Sequence, residues 1–317
     1  MELKPVEDID ILKIKGFKEM AESLEKAGGY TAKHFGIAFK ILKEMLEDRE
    51  CFVFLSFPAS LVATGFRGIL KTMLEKNLVN AVITTCGTLD HDLARVWKDY
   101  YHGYFSANDK ELHRKGINRE GNIFIPSENY GEILEEKMQP ILKEIYEGGK
   151  RDLAPFELVW EFGKRLEKEE RGKSSITYWA YKNKIPIFLP GPLDGAFGYQ
   201  IWLFWQDGHK DFSINVLKDE EKISELVYKA KRTGAIMLGG GISKHHTIWW
   251  NQFREGLDYA IYITTAPEWD GSLSGARLRE AVSWGKIKEE GKFITIPGEV
   301  TLIFPFLIKA VLEDFTV

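Results

Sequence analysis

The chain has 317 residues, with 43 Lys and Arg against 47 Asp and Glu, a formal net charge of −4 and a pI near 6.1. That balance excludes a general attraction to nucleic acid or to anionic membrane surfaces, and no apolar run is long enough to span a bilayer. The length allows a sizeable core within one α/β layer architecture.

The opening MELKPVEDID is acidic and lacks the basic-then-apolar pattern of a signal peptide, so the expectation is a cytoplasmic protein. Residues 1–50 read as N-terminal helices packed on the outside. Apolar strand candidates follow at 51–57, 80–85, 122–126, 185–190, 211–216, 235–241, 260–266 and 292–297. Runs that are apolar throughout and separated by amphipathic helices point to parallel strands covered on both faces. The predicted fold is therefore α/β, a doubly wound, mostly parallel sheet with helices on both faces. One large domain over 1–317 is expected, with a charged helical insertion at about 130–171. Cys51 and Cys86 lie in strand-like runs and read as free thiols of a reducing compartment rather than a disulfide framework. No spacing suggests a metal site.

In such sheets ligands bind beyond the carboxyl ends of the strands. The polar and glycine-rich segments lie there: SFPAS after 51–57, TTCGTLDHD after 80–85, PGPLDGAFG after 185–190, GGGISKHH after 235–241 and TTAPEWDGS after 260–266. Gly239–Gly241 stands between a strand and a helix expected to begin near Ser243. Glycines there let backbone approach a pyrophosphate, whose charge a helix N-terminus favours; a tight strand-to-helix turn is the plainer alternative. Asp194 can accept from ribose hydroxyls or serve as a turn aspartate.

The segment DGSLSGARLREAVSWGKI, 270–287, is the most informative. A short helix over Arg277–Trp284 places Glu280 and Trp284 one turn apart on one face, and Gly285 is suited to a left-handed cap. Lys286 then sits just past the helix beside an indole. Apolar surroundings disfavour its ammonium form, and a neutral lysine amine is a nucleophile that forms imines.

DGSLSGA with EAVSWGKI resembles the active-site signature of deoxyhypusine synthases. GGGISKHH, DYAIYITTAPEWDG, KGINREGNIF, YWAYKNKIPIF and TLIFPFL fall in that family's order, covering most of the chain from about Phe52. The resemblance implies an NAD-dependent aminobutyl transferase. Spermidine is oxidised to an imine, its four-carbon fragment passes to an enzyme lysine, and then to a lysine of the hypusine-bearing translation factor. It implies Lys286 as the imine-forming lysine, His245 as the base, and Glu280 and Trp284 as amine-binding residues. It implies cofactor contacts from Thr84, Thr85, Gly87, Asp90, Asp194, Gly240, Gly241, Thr265, Ser274 and Glu299. Ser60 stands where the family carries asparagine, and Glu299 where it carries aspartate. Lys244 and Lys288 are the competing lysines close in sequence, and substituting either is expected to reduce activity far less than substituting Lys286. A homotetramer with sites near subunit interfaces is also implied.

Three departures fall on the amine pocket. Tyr199 replaces an aspartate, Trp249 an asparagine, and Leu273 an aspartate found in some members. The pocket is thus expected to be less acidic and more aromatic. Two further readings stay open beside the deoxyhypusine synthase one: a related transferase using another amine donor or acceptor, as in homospermidine formation, or a catalytically silent NAD-binding paralogue.

Overall fold

A computed structural model describes residues 3–315. Their contacts divide the chain into two compact units, Met1–Phe57 with Ser224–Val317, and Pro58–Ile223.

The first unit is built on four parallel strands in the order Ile287–Pro297, Leu257–Thr264, Arg232–Leu238 and Cys51–Phe57. Their apolar and β-branched runs suit strands covered on both faces. Ala235, Ile236, Met237 and Leu238 are fully buried, as are Ala260 to Ile263. Helices Tyr30–Glu47 and Ile242–Asn251 both pack on this sheet. A Cβ built on Gly234 would meet Met45 Cγ at 2.7 Å, so the missing side chain lets the helix approach closely. Ala38, Phe39, Leu42 and Met45 of that helix are core residues. It is therefore a core layer rather than an outer covering, and residues 3–16 hold neither helix nor strand. The other N-terminal helix is Phe17–Lys26.

The second unit pairs strands Ala81–Thr84 and Ile187–Phe188 in parallel. Helices Gly87–Trp97, Gly131–Glu147, Pro155–Arg165 and Ala196–Gln206 belong to it. Two of the predicted strands serve elsewhere. Residues Ile123–Pro126 form an antiparallel sheet with Ile117–Glu120 and Tyr101–His102. Residues Ser213–Ile214 pair only with Asp152–Leu153. The apolar pattern marks a strand but not which sheet receives it. The second unit's core holds a fully buried ion pair: Arg67 Nε donates to Asp92 Oδ1 at 2.7 Å. Asp92 also accepts from Ser175 Oγ and the Ile176 and Thr177 amides, so it caps helix Ile176–Lys182. Among the described residues no helix is long and apolar enough to cross a membrane. The fold is mixed α/β with a mostly parallel sheet.

Candidate active site

The turn from helix Leu278–Ser283 into strand Ile287–Pro297 positions Lys286. Gly285 adopts φ +67°, a conformation other residues rarely take. The Lys286 amide donates to Ala281 O at 3.0 Å, and its carbonyl accepts from Leu257 N at 3.1 Å. Held at both backbone groups, the residue is 8% exposed. Its Nζ lies 5.3 Å from the Trp284 ring centroid and 5.7 Å from that of Trp249. Desolvation lowers its pKa from the usual lysine value, with the Glu280 carboxylate opposing. The Trp249 ring also stacks on His245, with centroids 5.9 Å apart and planes at 28°. The His245 pKa is lowered by desolvation and then by the charges of Lys286 and Lys244, which favours the neutral imidazole a base requires. Lys286, His245 and the two indoles thus form one cluster, and Glu280 is exposed one turn before Trp284. Leu273 lies exposed in the preceding loop.

That loop is clamped from below. Tyr262 Oη donates to Ser274 O at 2.5 Å, and Thr264 Oγ1 donates to the same carbonyl at 3.1 Å. Lys244 Nζ donates to Ala276 O at 2.7 Å and lies 4.4 Å from the Tyr262 ring centroid. Lys244 is only 2% exposed, and burial lowers its pKa to about 8. It thus holds the loop that carries Ser274 to Ala276; adjacency to His245 was the only sequence signal of this contact. Lys288, by contrast, pairs with Asp258 at 2.6 Å.

Helix Ile242–Asn251 begins at Gly241, which has φ +77° and no side-chain cap. Nothing lies within 4 Å of a Cβ built on Gly241, whereas one on Gly240 would meet Ser274 Cα at 2.4 Å. Gly240 is small because the loop packs against it, so a bulky residue there disrupts the clamp itself. Thr265 is exposed at the end of its strand. Glu299 caps helix Val300–Leu312 through the Thr301 and Leu302 amides while remaining exposed.

The second unit brings three loops together around Asp90. Its carboxylate accepts from Tyr130 Oη at 2.7 Å, Ala196 N at 2.8 Å and Phe197 N at 2.7 Å. Desolvation raises its pKa and these bonds oppose the shift. Gly195 fits because a Cβ there would meet Asp90 Oδ2 at 2.8 Å. Asp90 therefore caps helix Ala196–Gln206 from within, a role its sequence position did not disclose. Thr84 is also turned inward, with its hydroxyl 2.7 Å from that of Thr88. Thr85 Oγ1 accepts from Ala59 N at 3.1 Å, tying the loop that carries Ser60 to the one that carries Gly87. Ser60 and Asp194 are exposed. Tyr199 is exposed and pairs with Trp202, ring centroids 5.5 Å apart.

The residues present suit a dinucleotide. The N-terminus of helix Ile242–Asn251 is open, glycine-capped and free of an acidic cap, as a pyrophosphate requires. Arg277 Nη1 is also buried without a hydrogen-bond partner.

A buried lysine with a lowered pKa clusters with a histidine and two indoles where helix Leu278–Ser283 leads into strand Ile287–Pro297, an arrangement suited to amine chemistry. The deoxyhypusine synthase family pattern matches residues 19–311. A Picrophilus torridus protein named "Probable deoxyhypusine synthase" is 51% identical over 310 residues, covering 98% of this chain and 97% of its own. A Thermoplasma acidophilum protein of the same name is 48% identical, covering 96% of each. A crystal structure of an Entamoeba histolytica protein assigned the same provisional name shares the fold with a TM-score of 0.66 at 21% identity, covering 98% of this chain and 97% of that one. The chain belongs to the deoxyhypusine synthase family and is a transferase.

Proposed function

We propose that the chain transfers the aminobutyl group of spermidine to a lysine of the hypusine-bearing translation factor, with NAD as cofactor and Lys286 as the covalent carrier. The carrying observation is the Lys286 amine, within about 6 Å of two indole rings, one of which stacks on His245, with its pKa lowered. NAD, when bound, supplies the acceptor and later the donor of the hydride. Within the first unit, Gly241, Thr265, Ser274 and Glu299 are the candidates to hold it.

His245 takes the proton released as the secondary amine becomes an imine. Lys286 adds to the imine carbon and the carbon–nitrogen bond to the departing diamine breaks, so the diamine leaves with the proton it needs. The acceptor lysine then adds to the Lys286 imine and releases the Lys286 amine. Glu280 pairs with a substrate ammonium. A second reading, a different amine as donor or acceptor, is favoured by the exposed aromatics Trp249 and Tyr199 at positions where the family resemblance implies polar groups. A homotetramer and a cytoplasmic location complete the proposal; light scattering of the purified protein tests the former.

Borohydride reduction after incubation with NAD and a panel of polyamines tests the reading. The expected outcome is a four-carbon amine adduct on Lys286, absent in Lys286→Arg. An adduct on Lys244 instead would overturn the assignment. An adduct mass other than aminobutyl would favour the second reading. Gly241→Ala strains the helix entry without creating a clash, so NAD affinity measured by calorimetry should fall in a folded protein; unchanged affinity would move the cofactor elsewhere.

A further inference from the structure

Two indoles flank Lys286 while remaining in water: Trp249 is 41% exposed and Trp284 is 66% exposed. Trp284 follows its helix directly, and its amide donates to Ala281 O at 3.3 Å. Trp249 is braced by Phe253, edge-on with centroids 5.6 Å apart, and by its stack on His245. The Trp249 ring is therefore braced on two sides. An ammonium within about 6 Å of two exposed indole rings is within the range at which aromatic faces attract a cation. The Glu280 carboxylate acts on this cluster through its charge on Lys286 and Lys244.

We propose that Trp249 is a specificity-determining residue: with Trp284 it forms a two-sided aromatic slot that receives the carbon chain and an ammonium of a linear aliphatic polyamine. Contact with the ring face takes the place of a polar or acidic partner at this position. The same slot then covers the chain once it is attached to Lys286. This inference rests on the reading of Lys286 as the covalent carrier and adds the residue that selects what Lys286 carries.

The test compares wild type with Trp249→Phe, Trp249→Tyr, Trp249→Leu and Trp249→Asn in steady-state transfer from spermidine with NAD, alongside borohydride trapping. Trp249→Leu and Trp249→Asn are expected to raise the spermidine KM about 2- to 30-fold, the range of a lost cation–π contact, with kcat within about twofold. Trp249→Phe and Trp249→Tyr should recover most of the loss, because a ring face remains. Trapping should still map to Lys286 in every folded variant. If the leucine and asparagine variants fail to fold, the aromatic series decides, with KM rising from Trp through Tyr to Phe. Equal KM across the folded variants, or a fall in kcat at unchanged KM, would overturn the inference; the latter would make Trp249 a support for His245 only. Absence of any Lys286 adduct in the wild type is a different result: it would overturn the covalent reading and this inference with it.

Discussion

At the scale of single residues, the position of Lys286 follows from its backbone rather than from its side chain. The Ala281 and Leu257 hydrogen bonds fix its backbone, and Gly285 supplies the left-handed turn between helix and strand. Because desolvation lowers the Lys286 pKa, neutral amine is available at lower pH than for a solvated lysine. The rate of adduct formation should therefore rise with pH along a limb set by this group. A change that hydrates the amine, such as Trp284→Ala, should shift that limb to higher pH; pre-steady-state trapping across pH checks it. Lys286→Arg should abolish transfer, because guanidinium stays protonated and cannot add to an imine. Lys244 behaves differently. Lys244→Met removes the donor on Ala276 O and releases the loop that carries Ser274. We expect transfer to fall at least about tenfold, since an unsatisfied buried group costs about 1–3 kcal/mol. Lys288→Ala should keep most activity, as its partner Asp258 also binds Arg254 and the Thr233 amide. Comparing kcat for the two variants decides between these roles.

At the scale of elements, helix termini are allotted between structure and ligand. Asp90 and Glu299 occupy two of them with their own carboxylates, whereas helix Ile242–Asn251 opens on bare glycine. A further junction carries a pH dependence. Asp219, on helix Val216–Lys229, accepts from the Phe156 amide at 3.0 Å near the start of helix Pro155–Arg165. Its Oδ2 makes no hydrogen bond of normal geometry, though the Leu189 amide contributes electrostatically. Burial pushes its pKa up to about 7 from 3.8, outweighing both amides. The folded pKa lies above the unfolded one, so the stabilisation is full below about pH 4 and is lost as pH rises through 7. Asp219→Asn keeps an acceptor for Phe156 and removes the ionisation. Its melting temperature should therefore fall less than the wild type's between pH 5 and pH 8; parallel slopes would refute the assignment.

At the scale of the whole molecule, stability leans on the second unit's buried pair. Asp92 is held below the usual carboxylate range: burial alone would raise its pKa, but Arg67, Ser175 and the Thr177 amide outweigh it. The folded pKa is depressed, so its contribution is present above the unfolded value near 3.8 and is lost as pH falls through the folded one. Asp92→Ala strands the Arg67 charge and uncaps helix Ile176–Lys182, and should cost about 3–5 kcal/mol of unfolding free energy at neutral pH. Chemical denaturation measures this, and the difference from wild type should narrow in acid.

The sequence by itself determined the fold class, the order of the chemistry-bearing loops and the segment 270–287. These follow from local physics: apolar period, glycine torsions, and a lysine placed after a helix stop. It also carried enough family pattern to single out Lys286, His245, Glu280 and Trp284. What it left open depends on contacts between residues far apart in the chain. The family resemblance implied Thr84 and Asp90 as cofactor contacts, but packing against Thr88, Tyr130 and Gly195 turns their side chains inward. Gly240 and Gly241 are identical in sequence, and Ser274, thirty-odd residues away, makes one a packing site and the other an open helix end. Lys244 read as bland for the same reason. Its burial needs Tyr262 beneath it and Ala276 above it, and neither can be inferred from the residues beside it. Side-chain direction is set by what the fold brings opposite, and that information resides in the tertiary structure alone.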